Sequence, residues 1–204
     1  TLTSGLAAVI FSTIVVMNTV NGVIFLKNRL ELRVVGGAGL GLLGIMLVFW
    51  PEVTDFESGS ENLFAAALAV LATLLASVGN IASARNQREG IPVVQANTFG
   101  MTYGALLMLG LSWATGREFT FEMTLPYVSS LVFLSVFASI IAFWTYLTLL
   151  GRVGVERAAY STLIFPLVAL GFSTVFEDYQ WTAYAVIGIL LILTGNLLIL
   201  KRSA

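Results

Sequence analysis

Seven apolar runs, each long enough to cross a bilayer, constrain what this chain can fold into. Crossing about 30 Å of hydrocarbon as an α-helix takes about 17 to 25 residues. Hydrophobic residues make up 58% of the 204 and charged residues only 10%, so the sequence predicts an all-α polytopic membrane protein. The predicted spans are Leu6–Leu26, Val34–Trp50, Leu63–Ala82, Val93–Ala114, Tyr127–Leu150, Ala158–Phe176 and Trp181–Leu200.

The charged side chains divide unevenly between the two ends of these spans. If the chain crosses the membrane at every span, nine of its ten basic residues fall on one side and only Arg117 falls on the other. Because basic loops stay in the cytoplasm, we predict a bacterial inner-membrane protein with a cytoplasmic C-terminus and residue 1 outside. Aromatic residues at the predicted outer helix ends fit an interfacial belt, namely Trp50, Trp113, Tyr127, Tyr179 and Trp181.

Several chemistries are excluded by residues that the sequence lacks. It contains no histidine and no cysteine, and no span interior carries a carboxylate, so intramembrane proteolysis and zinc chemistry have no candidate residues. Both lysines lie at span ends, which excludes a retinal Schiff base, and a net charge of −1 argues against nucleic acid. We therefore predict no catalytic residue, metal or cofactor, and expect a small-molecule solute and the lipid bilayer as partners.

The first two spans resemble the last two in reverse orientation. A shift of 151 residues places Gly37 on Gly188 and Gly44 on Gly195, with seven further identities. Spans one and six are five crossings apart, an odd number, so the two copies must point in opposite directions through the membrane. A five-helix unit then predicts that spans three to seven form one complete copy, and that three helices of the other copy lie upstream.

The stretch from Gly154 to Asn196 carries a resemblance to a known family. It reads GVERAAYSTLIFPLVALGFSTVFEDYQWTAYAVIGILLILTGN, with a small-residue helix start, a mid-helix Pro166, Glu177 at the helix exit and a glycine-containing final helix. This pattern resembles EamA-type members of the drug/metabolite transporter superfamily. In spans one and two the likeness is looser, since Val15 stands where the family has its proline.

The resemblance implies a bundle of ten helices in two inverted five-helix repeats with a solute cavity between them. On that basis residues 1–51 are the last two helices of a truncated first repeat, 52–62 an external linker and 63–204 the second repeat. The implied activity is export or facilitated movement of small neutral or zwitterionic, partly apolar metabolites, such as amino acids or drugs, by alternating access. The alternative is a flippase for lipid-linked substrates or a structural membrane protein. The sequence does not decide whether transport is coupled to an ion, or whether the protein is a monomer or an oligomer.

Polar side chains within the spans are the candidate solute ligands, since polar groups in hydrocarbon tend to face a cavity. They recur at helical spacing on one face of spans one, three and five. A serine or threonine there can also bond to its own helix or join two helices. The candidates are Asn18, Asn21, Ser77, Asn80, Ser139, Trp144, Tyr146 and Thr162.

Pro166, at the centre of span six, is the candidate hinge. Its ring crowds the carbonyl of Thr162 and it donates no hydrogen bond, so a kink is expected. The alternative is a kink that serves packing only. The glycine pair Gly37 and Gly41 is expected to pack within the monomer rather than to dimerise.

Overall fold

The computed structural model describes residues 4–29, 31–54, 60–159, 161, 168 and 182–200, and every element in them is helical. The predicted all-α class is thereby confirmed for the described part of the chain. The elements are α1 (Ser4–Ser12), α2 (Ile14–Leu26), α3 (Leu32–Val48), α4 (Trp50–Thr54), α5 (Ser60–Arg88), α6 (Val93–Ala114), α7 (Leu125–Phe133), a π-helix (Leu134–Ile141), α8 (Ala142–Val153), α9 (Val155–Ala159) and α10 (Ala183–Leu200).

Three of the described helical segments are long and apolar enough to cross a membrane, namely Leu6–Leu26, Glu61–Arg88 and Leu125–Val153. The helix α6 has the bounds predicted for the fourth span, and α5 continues past the predicted end of the third span to Arg88. The first predicted span is divided at Thr13, whose hydroxyl donates to the carbonyl of Ile10 at 2.6 Å. A hydroxyl that bonds back to its own helix commonly bends it.

The fifth predicted span differs from the uniform α-helix that its apolar pattern suggested. Residues Leu134–Ile141 form a π-helix between α7 and α8. The hydroxyl of Ser139 donates to the carbonyl of Leu134, five residues earlier, at 3.0 Å. Hydropathy cannot distinguish the two helix types, because both satisfy the backbone within one segment.

The chain divides into two compact units, one made of Thr1–Ala82 with Val153–Ala204 and the other of Ser83–Arg152. In the first unit, the apolar core joins side chains of α2, α3, α9 and α10. It consists of Ile14, Val15, Val34, Ala38, Ile45, Val48, Ala159 and Ile192.

The closest helix pair in the first unit is α3 with α10, where glycines allow the two backbones to meet. A Cβ atom added at Gly44 would lie 2.5 Å from the carbonyl oxygen of Gly188. One added at Gly195 would lie 2.8 Å from the carbonyl oxygen of Gly37. Small residues permit such close approach between helices in a membrane, and here the glycine run of α3 packs against α10 of the same chain.

The short helix α9 packs against α2 through small and apolar side chains. Val155, Ala158 and Ala159 are all buried. Gly154 precedes them with φ +93, a backbone conformation that favours glycine, and α9 begins at the next residue. This turn brings the start of predicted span six alongside span one.

The second unit leaves most of its helical surface uncovered by the described residues. None of the residues of α6 or α7 is buried. Within this unit the amide of Gln87 donates to the carbonyl of Leu147 on α8 at 2.9 Å and to the hydroxyl of Ser83 at 3.3 Å. A Cβ atom at Gly151 would collide with the Gln87 side chain, so this contact depends on glycine.

Candidate functional site

Four of the candidate polar residues meet in one place, between α2 and α5. Asn21 donates through Nδ2 to the hydroxyl of Ser77 at 2.8 Å. Asn80 donates through Nδ2 to Oδ1 of Asn18 at 3.5 Å. All four side chains are buried. We call Asn18, Asn21, Ser77 and Asn80 the amide cluster.

The helical repeat explains why these residues share a site. Asn18 and Asn21 are three residues apart on α2, and Ser77 and Asn80 are three apart on α5, so each pair lies on one face of its helix. The sequence predicted each pair separately. The structure adds that the two pairs face each other.

One atom of the amide cluster lacks a hydrogen-bond partner. The Asn18 side chain is 0% exposed, and its Nδ2 makes no hydrogen bond. Within the described residues, no other buried side-chain nitrogen or oxygen is left unpaired. Buried polar groups are nearly always bonded, so this donor is a marked exception.

Other buried hydroxyls near the amide cluster in sequence are satisfied by their own helices. Thr19 donates to the carbonyl of Val15 at 2.8 Å, and Thr73 donates to that of Ala69 at 2.8 Å. Such bonds occupy the hydroxyl hydrogen and leave the group little capacity to hold a ligand. Ser77 differs because its oxygen accepts from another helix.

The remaining candidates lie on other elements of the chain. Ser139 bonds to its own π-helix, as described above. Trp144 on α8 is 51% exposed and Tyr146 is half-buried, and both belong to the second unit. Thr162 and the proposed hinge Pro166 lie outside the described residues.

A second polar contact, which the sequence did not predict, joins the end of α2 to the start of α9. Asn28 donates through Nδ2 to Oε1 of Glu156 at 2.5 Å, and Arg157 pairs with Glu31 at 3.5 Å. The Glu156 carboxylate also lies across Gly22, where a Cβ atom would clash with it. We call Asn28, Glu31, Glu156 and Arg157 the end clamp.

The signal for the end clamp was present in the sequence but could not be recognised alone. Glu156 lies in the first turn of α9 and Arg157 in its last turn, and charges of these signs at these ends are usually explained by the helix dipole. Only the packing of α9 on α2 gives them partners 126 to 128 residues away.

The chemistry available at the amide cluster is hydrogen bonding without charge. Amides and hydroxyls both donate and accept, and none of the four ionises near neutral pH. Among the described residues, no group of three or more His, Cys, Asp or Glu could hold a metal ion. The cluster can therefore select by hydrogen-bond pattern but not by ion pairing.

Comparison with known proteins places these features in a family. The model of the EamA-like transporter family matches residues 63–201. The uncharacterized transporter YvbV of Bacillus subtilis is 28% identical over 103 residues, which cover 50% of this chain and 34% of that protein. Protein PagO of Salmonella typhimurium is 20% identical over 197 residues, covering 97% of this chain and 64% of that protein.

A crystal structure of another protein shares the fold. It superposes with a TM-score of 0.80 at 19% sequence identity, covering 97% of this chain and 67% of that one. This chain therefore spans about a third to two thirds of the length of the relatives that it matches.

Proposed function

Because the chain belongs to the EamA-like transporter family, we propose that it is part of a transporter for small, neutral or zwitterionic, partly apolar metabolites. Membership confirms the resemblance that residues 154–196 indicated. Family and apolar helices together identify a multi-pass membrane protein. Amino acids and drug-like metabolites are the solutes that we expect, moved by export or facilitated flux without catalysis.

We propose that the whole transporter has ten helices in two inverted five-helix repeats. Residues 1–51 then end the first repeat, 52–62 link the repeats outside the membrane and 63–204 form the second. The glycine contacts support this division. The sequence repeat matches Gly37 to Gly188 and Gly44 to Gly195. In the structure, Gly44 lies against Gly188, and Gly37 lies against Gly195. Such reciprocal contacts are those that a two-fold axis generates.

The single observation that carries the proposed function is the buried, uncharged amide cluster. Polar groups in the membrane interior are costly, and they tend to face the bundle interior or a water-filled cavity that a solute could enter. The cluster links α2, in the first repeat, with α5, in the second, which is where inverted-repeat transporters bind solute. Alternating access would open this contact first to one side and then to the other.

The orientation proposed for the transporter follows the charge distribution. The positive loops indicate the bacterial inner membrane, with the C-terminus in the cytoplasm. Glu89 and Glu118 lie in two exposed loops that this topology assigns to opposite sides. In the full-length protein, Glu89→Cys should be protected from an impermeant maleimide in intact cells, whereas Glu118→Cys should react. The reverse result would overturn the orientation.

The functional test uses the full-length protein in sealed vesicles. We expect exchange of radiolabelled leucine across the membrane, and expect Asn80→Ala and Trp144→Ala to reduce it without lowering the amount of folded protein. Asn97→Ala, on the half-buried side of α6, is the matched control and should transport normally. Scrambling of a fluorescent lipid with no exchange of any metabolite would instead favour the flippase alternative.

A further inference from the structure

The unpaired amide of Asn18 is unusual because its neighbours are satisfied. Asn21 and Ser77 bond each other at 2.8 Å, and Oδ1 of Asn18 accepts from Asn80. Among the buried side-chain atoms of the described residues, only Nδ2 of Asn18 is left without a partner, on a side chain that is 0% exposed. A buried donor without an acceptor is destabilising. A solute group that accepts a hydrogen bond from Nδ2 of Asn18 should therefore bind favourably.

The orientation of the Asn18 amide follows from its neighbour. Rotating that amide alone by 180° would place its NH2 group against the NH2 group of Asn80, so two donors would face each other. As the structure places the two amides, Oδ1 of Asn18 faces Nδ2 of Asn80, and Nδ2 of Asn18 lies at the unpaired position.

We propose that Nδ2 of Asn18 is a specificity determinant that donates a hydrogen bond to a carbonyl or carboxylate oxygen of the solute. This inference rests on the proposed function, since it concerns the solute of the same site. The 2.8 Å and 3.5 Å bonds of the amide cluster join two helices and can be exchanged for bonds to a bound solute. The solute therefore presents an oxygen acceptor, and a solute whose polar end only donates is rejected.

The physical basis of this selectivity is the asymmetry of hydrogen bonding in a buried site. A site built to bond a polar group discriminates strongly against an analogue without it, because its own polar group is left unpaired. No charged side chain belongs to the amide cluster, so the amide NH2 supplies the attraction for the oxygen.

The test measures ligand-induced thermal stabilisation of the full-length protein in detergent, which reports binding separately from transport. The probes are leucine, with a carboxylate, 4-methylpentanamide, with an uncharged carbonyl, and 3-methylbutylamine, with a donor only. We expect the two acceptor probes to bind at least about tenfold more tightly than the amine. Stabilisation by none of the three, or equal stabilisation by all, would overturn the inference.

Two matched variants separate recognition from structure. Asn18→Leu and Asn80→Leu both remove the bond between these residues, but only Asn18→Leu also removes the unpaired donor. Preference for acceptor probes should fall about tenfold in Asn18→Leu and should persist within about twofold in Asn80→Leu. If the leucine side chain introduced at position 18 overpacks the site, Asn18→Ala provides the same test.

The outcomes distinguish this inference from the proposed function. Equal preferences in the two variants, with leucine exchange by the unsubstituted protein intact, would overturn the role of Asn18 and leave the transporter assignment standing. Absence of metabolite exchange by the unsubstituted protein would overturn the transporter assignment, and the role of Asn18 with it.

Discussion

Two helix contacts in the first unit differ in chemistry: one is apolar and the other is polar. Between α3 and α10, glycines bring the backbones together, as at Gly44 and Gly188, and the surrounding side chains are apolar. Between α2 and α5, the contact consists of polar side chains that bond across the gap. Within the described residues, the first contact has no buried polar side-chain atom left unpaired, whereas the second has the amide nitrogen of Asn18.

This difference indicates how one unit can combine rigidity with binding. Close backbone contact places many atoms at van der Waals distance, so separating the two helices loses many small attractions at once. Interhelical hydrogen bonds in membranes are individually weak, at about 0.6 kcal/mol on average, and a solute with matching polar groups can replace them. We therefore expect α3 and α10 to stay together while α2 and α5 separate.

The largest effect is expected from Gly44→Val, which disrupts the contact between α3 and α10. Its Cβ would lie 2.5 Å from the carbonyl oxygen of Gly188 and 2.7 Å from Ile192, so α3 and α10 must move apart. We expect a loss of about 3 kcal/mol or more in stability, measured as a large fall in unfolding temperature and in folded yield. Gly39→Val is the control, since nothing lies within 4 Å of its Cβ position. Equal losses would contradict the close contact.

Asn21→Leu should separate function from stability at the polar contact. It removes the bond to Ser77, and we expect transport to fall by more than about tenfold while stability changes by about 0.6 kcal/mol. Thr19→Val removes a buried hydroxyl that bonds only its own helix, and should transport normally. The paired measurements are leucine exchange and unfolding temperature. A large stability loss with normal transport in surviving protein would make the amide cluster structural.

Glu156→Ala tests whether the end clamp belongs with the rigid part of the unit. It removes the acceptor of the 2.5 Å bond from Asn28, and we expect about 1 kcal/mol of destabilisation because the carboxylate is half-buried. Glu156→Gln keeps an acceptor oxygen, so it should retain most of the stability that Glu156→Ala loses. Thermal unfolding of the two variants provides the measurement, and equal loss in both would assign the effect to charge.

The smallest effect is expected from Glu31→Gln. Glu31 and Arg157 approach to only 3.5 Å, with side chains 55% and 45% exposed. Exposed ion pairs contribute about 0 to 1 kcal/mol and are screened by salt. The unfolding temperature should change little and the difference should vanish at high ionic strength. A loss as large as that of Glu156→Ala would show that the pair carries more of the clamp than its exposure suggests.

Much of the helical layout could be predicted from apolar length alone. The bounds of α6 agree with the prediction, α2 and α10 lie within predicted spans, and α3 and α5 overlap their predicted spans but begin before them. The π-helix at Leu134–Ile141 could not be predicted, because its apolar composition is equally compatible with an α-helix. For the site, spacing identified Asn18 with Asn21 and Ser77 with Asn80, but not that the pairs meet.

What the sequence determined by itself is therefore local. A backbone in hydrocarbon must satisfy its own N–H and C=O groups, so an apolar run of sufficient length specifies a helix with little reference to its neighbours. Tertiary structure decided which faces meet, including Gly44 on Gly188, Asn21 on Ser77 and Glu156 on Asn28. The reason is that lipid is as apolar as a helix surface, so hydropathy cannot choose a face, and only close packing and hydrogen bonding between distant segments can.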